Sequence, residues 1–172
     1  MPRTRFDPYE RLYATRTGTL RSSAMRDLMA VTSRPDVISL AGGLPDTRAF
    51  PADLLAELGE EVIGRQGARA LQYGPTEGID ELRHALAAYM AELGTEAGPG
   101  ELIVTTGGQQ ALDLLCRVLV DPGDPILAEG PTYPGAVPVF SAAGAEVHQV
   151  PLDAEGVRVD LLAEAYDRLA AA

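Results

Sequence analysis

The sequence contains no lysine, because all fourteen of its basic residues are arginine. Chemistry that depends on a lysine amine as a nucleophile is therefore excluded for these 172 residues. The chain also has no tryptophan and a single cysteine, Cys116, so it cannot form an internal disulfide. Cys116 falls on the apolar side of a predicted helix, which favours a small buried side chain in a reducing compartment over a nucleophile.

Positive charge is scarce as well, since 25 acidic residues against 14 basic ones give a formal net charge of −11. Such an acidic chain is a poor partner for nucleic acid or for an anionic membrane surface. The first 34 residues differ, with seven arginines and three acidic residues. We interpret them as a basic arm that packs on the chain's own acidic body, and an acidic partner is the alternative.

Long apolar runs are missing. The first residues contain no apolar segment of the kind found in signal peptides, and no stretch approaches the roughly 18 apolar residues that span a membrane. These absences predict a cytoplasmic protein. Apolar residues nevertheless make up 46% of the chain, which is enough material for a core.

A glycine pair separates a predicted strand from a predicted helix in the middle of the chain. The run from Leu102 to Thr105 is short, apolar and β-branched, and Gly107 and Gly108 permit a sharp turn after it. The residues from about Gln109 to Val120 then carry apolar side chains at helical spacing. The predicted apolar face of this helix consists of Leu112, Leu115, Cys116 and Leu119.

A glycine turn that leads into a helix suits a phosphate, because the first N–H groups of the helix are free and the helix dipole is positive there. A second buried strand, Ile126 to Ala128, follows, and a Pro-flanked loop after it carries Tyr133, whose ring could cover the flat part of a phosphorylated cofactor. Plain turn chemistry is the alternative. GGQQA is not a P-loop, since it lacks the Gly-Lys-Ser/Thr ending, and Thr106 weakens a dinucleotide-binding fingerprint because it stands where the first glycine should be.

Helices and strands alternate along the chain, which predicts an α/β fold with right-handed crossovers. The other predicted helices are a short one capped by Ser22 or Ser23, one from Asp53 to about Gly64, one that Gly78-Ile79 opens and that stops at Gly94, one from Pro134 to Ala143 and one from Val159 to Ala172. A strand from Glu146 to Pro151 and a turn from Asp153 to Gly156 are also predicted.

Four motifs together resemble fold-type I pyridoxal-phosphate aminotransferases of class I/II. TTGGQQALDL followed by DPGDPILAEGPTYPG is similar to the first half of the family's large domain. Upstream, ISLAGGLPD at 38–46 and LQYGPTEGIDELR at 71–83 resemble the 2-aminoadipate and kynurenine aminotransferase branch. The motifs stand in the family's order, and the resemblance covers the chain from Arg26 to Leu152.

The resemblance implies an α/β fold that forms the N-terminal part of the aminotransferase large domain, with an incomplete mixed sheet and flanking helices. It divides the chain into a basic arm with a short helix (1–34), a lead-in segment with two helices (35–100) and the first three strands of the cofactor-binding domain (101–172). In the family's sheet, other strands separate the first strand from the second and third. We therefore expect residues 102–105 not to pair with residues 126–128.

The resemblance also implies pyridoxal 5'-phosphate as the cofactor and transfer of an amino group between an α-amino acid and a 2-oxo acid. Family enzymes hold the cofactor as a Schiff base on a lysine, and the same amine moves the proton in transamination. This chain has no lysine, and the family's later motifs (an Asn, an Asp for the pyridine nitrogen, a second Tyr and a carboxylate-binding Arg) do not occur before Ala172. We expect the N-terminal portion of such an enzyme, inactive alone.

Matching positions imply four residues that contact the cofactor. Gly108 and Gln109 match the family's phosphate cup at the helix start, and Tyr133 matches the aromatic residue that stacks on the pyridine ring. Tyr73 matches a tyrosine that reaches the phosphate in the neighbouring subunit, which implies a homodimer. Gly108 departs from the family, because many relatives have Ser or Ala there and glycine leaves only backbone N–H donors.

Two further positions match residues that contact the substrate. Gly43 corresponds to loop backbone near the substrate carboxylate, where glycine permits a close approach. Arg26 matches a mobile residue near the substrate. An ordinary turn and a helix-surface arginine are the respective alternatives. His84 and His148 have no metal-ligand partner at useful spacing, so no metal site is predicted.

Two other functions remain as alternatives. Some transcription regulators carry an aminotransferase-like domain that senses the cofactor, but they usually have a basic DNA-binding domain in front, whereas this sequence opens with the aminotransferase arm at Met1. A nucleotide-binding α/β module is disfavoured by Thr106 and by the fit of GGLP, QYGP and PTYPG to the aminotransferase pattern.

Overall fold

The computed structural model describes residues 9–18, 31, 32, 34, 36–40 and 43–171. The chain divides into two compact units. The first, called the sheet unit below, comprises Met1–Ser39 and Gly107–Ala172, and the second, called the helical unit, comprises Leu40–Thr106. The short helix predicted after Ser22 or Ser23 lies outside the described residues. The division predicted at residues 34 and 100 stays a prediction.

The helical unit contains two α-helices, α1 (Ala52–Ala70) and α2 (Asp80–Glu92), and two short 3₁₀ turns, Thr47–Ala49 and Pro99–Glu101. The predicted end of α1 at Gly64 is wrong. Glycine is tolerated inside an exposed helix at a cost of about 1 kcal/mol, and the helical backbone continues until Gln66 departs from it with φ −136° and ψ 24°. An ion pair between Glu61 and Arg65 at 2.5 Å spans the last regular turn before this kink.

Glycines with positive φ bound α2 at both ends, as predicted. Gly78 (φ +102°) precedes the helix, which begins after Ile79, and Gly94 (φ +84°) follows its last turn. The N–H of Thr95 donates to the carbonyl of Met90 at 2.9 Å, so a tight turn of the backbone gives a carbonyl in the last turn of the helix a hydrogen-bond donor.

The strand predicted at residues 102–105 is wrong. These residues belong to none of the described strands, although Leu102 has extended backbone angles. The N–H of Val104 donates to the carbonyl of Glu77 at 2.9 Å, so the segment bonds to a turn instead of a neighbouring strand.

The sheet unit alternates helices and strands. Its elements in order are α3 (Gly108–Leu119), β1 (Pro125–Gly130), α4 (Ala136–Ala143), β2 (Glu146–Asp153), β3 (Gly156–Val157) and α5 (Val159–Ala170). The strands β1 and β2 pair in parallel, with Ile126 opposite Val147, and α4 is the crossover between them. The strand β2 continues beyond its predicted end and pairs antiparallel with β3 through the predicted turn, which gives the mixed sheet order β1-β2-β3. The α/β class is confirmed.

The core of the described structure is small and lies in the sheet unit. Its buried apolar residues are Cys116, Ala136, Val139, Val150 and Ala165. The predicted apolar face of α3 is only partly buried, since Leu115 is 55% exposed and Leu119 is 70% exposed. Helix α3 packs on α4 through the side that carries Cys116, and none of the described elements covers Leu115 and Leu119. Among the described residues, no helix combines the length and apolarity needed to cross a bilayer.

Substitution of Gly78 by alanine tests the contact between the α2 turn and residue Val104. A Cβ at Gly78 would lie 2.5 Å from Cγ2 of Val104, in addition to the strain of a positive φ. Gly94→Ala is the matched control, because it has a similar φ and nothing within 4 Å. We expect Gly78→Ala to lose about 1–3 kcal/mol more than the control. Limited proteolysis of the helical unit measures this as faster cleavage, and equal cleavage of both variants contradicts the contact.

Exposed apolar side chains predict that the isolated chain self-associates. Each large apolar side chain left in water forfeits roughly 1.5–3 kcal/mol of burial, while whole domains are stable by only about 5–15 kcal/mol. The chain should bind a hydrophobic dye and sediment as oligomers at rising concentration. A cooperative thermal transition of a monomer that binds no dye would show that its apolar surface is covered.

Candidate functional site

Helix α3 starts at a glycine turn that leaves two backbone donors unused. The N–H groups of Gln110 and Ala111 both donate to the carbonyl of Gly107, at 3.2 and 3.4 Å. The N–H groups of Gly108 and Gln109 make no hydrogen bond within the described part of the chain. Two free donors at the positive end of a helix dipole form a place where an anion is stabilised.

Gly107 determines the direction of this helix start. Its backbone angles, φ +90° and ψ 171°, lie in a region open almost only to glycine. Gly108 has no such requirement, since its φ is not positive and a Cβ built on it meets nothing within 4 Å. The glycine at position 108 is therefore not imposed by sterics, and a side chain with a hydroxyl would fit there.

Tyr133 lies in the loop that leaves the carboxyl end of β1. Its carbonyl accepts from the N–H of Ala136 at 3.0 Å, which ties the loop to the first residue of α4. The side chain is 62% exposed, and its ring lies directly over Gly135. A Cβ on Gly135 would be 2.5 Å from Cζ of Tyr133, so any larger residue at 135 would push the end of the exposed ring aside.

The side chain of Gln109 connects the start of α3 to the loop that carries Tyr133. The amide Nε2 of Gln109 donates to the carbonyl of Gly135 at 2.7 Å across 26 residues of chain. The predicted cofactor residues Gly108, Gln109 and Tyr133 therefore lie close together in the sheet unit. Sequence reasoning missed the bond itself and the contact of the ring with Gly135, and the only sequence signal was the glycine that ends PTYPG.

Two other predicted site residues lie in the helical unit, and a third lies outside the described residues. Tyr73 and Gly43 belong to the helical unit, where Tyr73 is almost fully exposed and Gly43 has a φ of +59° in an open turn. Arg26 lies outside the described residues. Their roles stay predictions.

A cavity of about 830 Å³ lies beside Tyr73 within the helical unit, which the sequence did not indicate. Arg69, near the end of α1, and Glu81, in the first turn of α2, line it and form an ion pair at 2.5 Å. The hydrogen bond from Arg69 lowers the pKa of the Glu81 carboxyl, so that carboxyl stays ionised beside the guanidinium. The pair is exposed, joins the end of α1 to the first turn of α2 and adds little stability.

The remaining reactive side chains do not join the site. Cys116 is buried on α3, and burial, followed by the charge of Asp113, raises the pKa of its thiol, as expected for an inert core cysteine. Nδ1 of His84 lies 2.8 Å from the carbonyl of Asp80 on its own helix, and His148 is on β2. The described residues contain no cluster of three side chains that could hold a metal ion.

The chain belongs to the class I and II aminotransferase family, whose model matches residues 35–172. It is 42% identical over 162 residues to aromatic-amino-acid aminotransferase 1 of Thermococcus litoralis, an alignment that covers 94% of this chain and 39% of the relative. The chain thus spans about two-fifths of the length of the relative it matches.

Solved structures agree with this assignment. An archaeal alanine:glyoxylate aminotransferase superposes with a TM-score of 0.90 at 38% identity and covers 96% of this chain and 42% of its own. An α-aminoadipate aminotransferase from Thermus thermophilus, solved with N-(5'-phosphopyridoxyl)-L-leucine, has a TM-score of 0.80 at 36% identity over 93% of this chain and 39% of its own. Members of this family use pyridoxal phosphate.

The residues of the sheet unit fit two parts of that cofactor. The free N–H groups of Gly108 and Gln109 suit a phosphate, and the exposed ring of Tyr133 suits a flat aromatic ring. A lysine for the covalent attachment is absent from all 172 residues.

The backbone of Gly107 offers a direct test of the anion site. Gly107→Ala should weaken binding of inorganic phosphate, because a Cβ strains this conformation by about 1–3 kcal/mol and turns the helix start away. Gly123→Ala is the matched control, with a φ of +98° in open space in the turn after α3. Phosphorus NMR titration measures both affinities. Equal affinities would place phosphate binding elsewhere.

Proposed function

We propose that this chain supplies the phosphate- and ring-binding part of a pyridoxal-phosphate-dependent aminotransferase. The observation that carries the proposal is the bond from Gln109 to Gly135, which ties the start of α3 to the loop that carries Tyr133. A phosphate next to a flat ring is the shape of this cofactor. Family membership supports the same ligand.

Each of these residues has one task in holding the cofactor. The N–H groups of Gly108 and Gln109 donate to the phosphate, and the positive end of the α3 dipole stabilises its charge. The ring of Tyr133 stacks on the pyridine and fixes its plane. When bound, the cofactor supplies an electron sink for transfer of an amino group between an α-amino acid and a 2-oxo acid.

These residues cannot attach the cofactor covalently or transfer the proton in transamination. Family enzymes use a lysine amine for both, and the only strong bases in this sequence are arginines. A guanidinium stays protonated at every physiological pH and therefore cannot replace that amine. The proposal thus assigns to the chain the N-terminal portion of the enzyme, which binds the cofactor and does not complete the reaction.

Other features of the proposal come from matching positions in the family. Gly43 and Arg26 contact the substrate, and Tyr73 reaches the cofactor phosphate of a second subunit in a homodimer. The full exposure of Tyr73 supports that role, because the side chain is available to another chain. The proposed location is the cytoplasm.

The isolated chain should bind the cofactor but should not catalyse transamination. Pyridoxamine 5'-phosphate carries the phosphate and the ring and needs no lysine, so we expect saturable binding that quenches tyrosine fluorescence. Tyr133→Leu should weaken that binding about two- to twelvefold, since a stacked aromatic pair is worth about 0.5–1.5 kcal/mol beyond its area. Tyr166→Leu, another exposed tyrosine of the sheet unit, is the control.

Transamination of an amino acid by the purified chain should stay at the level of a protein-free control, and pyridoxal phosphate should give no absorbance of a lysine-bound cofactor. Robust turnover, after host enzymes are excluded, would show that a group other than lysine serves the reaction. Absence of saturable pyridoxamine phosphate binding would contradict the assigned site.

A further inference from the structure

The side chain of Gln109 has a different partner from its backbone. Its backbone N–H has no hydrogen-bond partner among the described residues, while its amide Nε2 donates to the carbonyl of Gly135 at 2.7 Å. Gly135 is the residue over which the ring of Tyr133 lies. The side chain therefore contacts the ring-bearing loop, and the phosphate donors are backbone groups.

We infer that Gln109 is a positioning residue for Tyr133, in addition to its backbone contact with phosphate, and this inference rests on the proposed function. The Gln109 amide holds the carbonyl of Gly135 against α3, and Gly135 in turn supports the ring. The loop has one further backbone tie, from Ala136 to the Tyr133 carbonyl at 3.0 Å. Without the Gln109 amide, the ring loses its fixed distance from the two free N–H groups.

The direction of the Gln109 amide favours this role over direct recognition of phosphate by the side chain. One N–H of the amide donates to the Gly135 carbonyl at 2.7 Å, so the direction of the amide is set by an acceptor on the loop. A Cβ on Gly135 would lie 2.5 Å from Cζ of Tyr133, so the residue whose carbonyl accepts from the Gln109 amide is also the residue against which the ring lies.

Hydrogen exchange tests the inference without any ligand. Gln109→Met keeps the length of the side chain and removes the donor, and Gln66→Met, the same change at an exposed glutamine of the helical unit, is the control. Exchange of the Ala136 N–H, followed by mass spectrometry of a peptide over residues 132–139, should accelerate roughly two- to tenfold in Gln109→Met, the effect of one lost hydrogen bond. The control should exchange like the wild-type chain.

The affinities for two ligands then distinguish an effect on the Tyr133 ring from an effect on phosphate binding. Gln109→Met should lower the affinity for pyridoxamine 5'-phosphate roughly two- to tenfold and leave the affinity for inorganic phosphate unchanged. In a Tyr133→Ala background, the same substitution should have no further effect, because Gln109 acts through the ring. A side chain that contacts phosphate directly predicts equal losses for both ligands in both backgrounds.

Unchanged exchange at Ala136 in Gln109→Met would overturn the inference whether or not a ligand binds. Equal losses of affinity for the two ligands would overturn it as well. A wild-type chain that shows the exchange effect but binds no pyridoxamine phosphate contradicts the proposed function and leaves the positioning role in place.

Discussion

The parallel pairing of β1 with β2 is the interaction on which the site depends. Six residue pairs join the strands, from Pro125 with Glu146 to Gly130 with Pro151, and Val150 on β2 is only 2% exposed. Parallel neighbours require a crossover, and α4 provides it. The loop between β1 and α4 must therefore leave from the carboxyl end of β1, and this loop carries Tyr133. Because both of its ends are fixed by regular structure, a single bond to α3 is enough to set the place of the ring.

The limits of the helices were predictable from sequence. Which other segment each helix or strand contacts was not. Glycines with positive φ, such as Gly78 and Gly94, marked helix limits because few other residues adopt that backbone. The strand predicted at residues 102–105 failed because an apolar, β-branched run indicates extended backbone but does not name a neighbouring strand. For the same reason the pattern on α3 predicted one apolar face, while only the part that meets α4 is buried.

In the candidate site, too, local features were predictable from sequence and contacts between distant residues were not. The glycine turn, the helix and Tyr133 could be placed by motif, since each is a local pattern with a physical reason. The bond from Gln109 to Gly135 joins residues 26 positions apart and depends on the path of β1 and α4. The absence of lysine was visible from the sequence alone: the chain has residues that we propose to hold a phosphate and a ring, but it has no lysine amine for the chemistry.

The most direct test is a nitrogen-15 NMR titration of the chain with pyridoxamine 5'-phosphate. The central claim is that the α3 start and the Tyr133 loop form one binding site. The account predicts that the amide signals of Gly108 and Gln109 move downfield together, with a single saturation curve, and that the signal of Gly135 follows the same curve. Saturable binding that leaves these three amide signals in place would contradict the account.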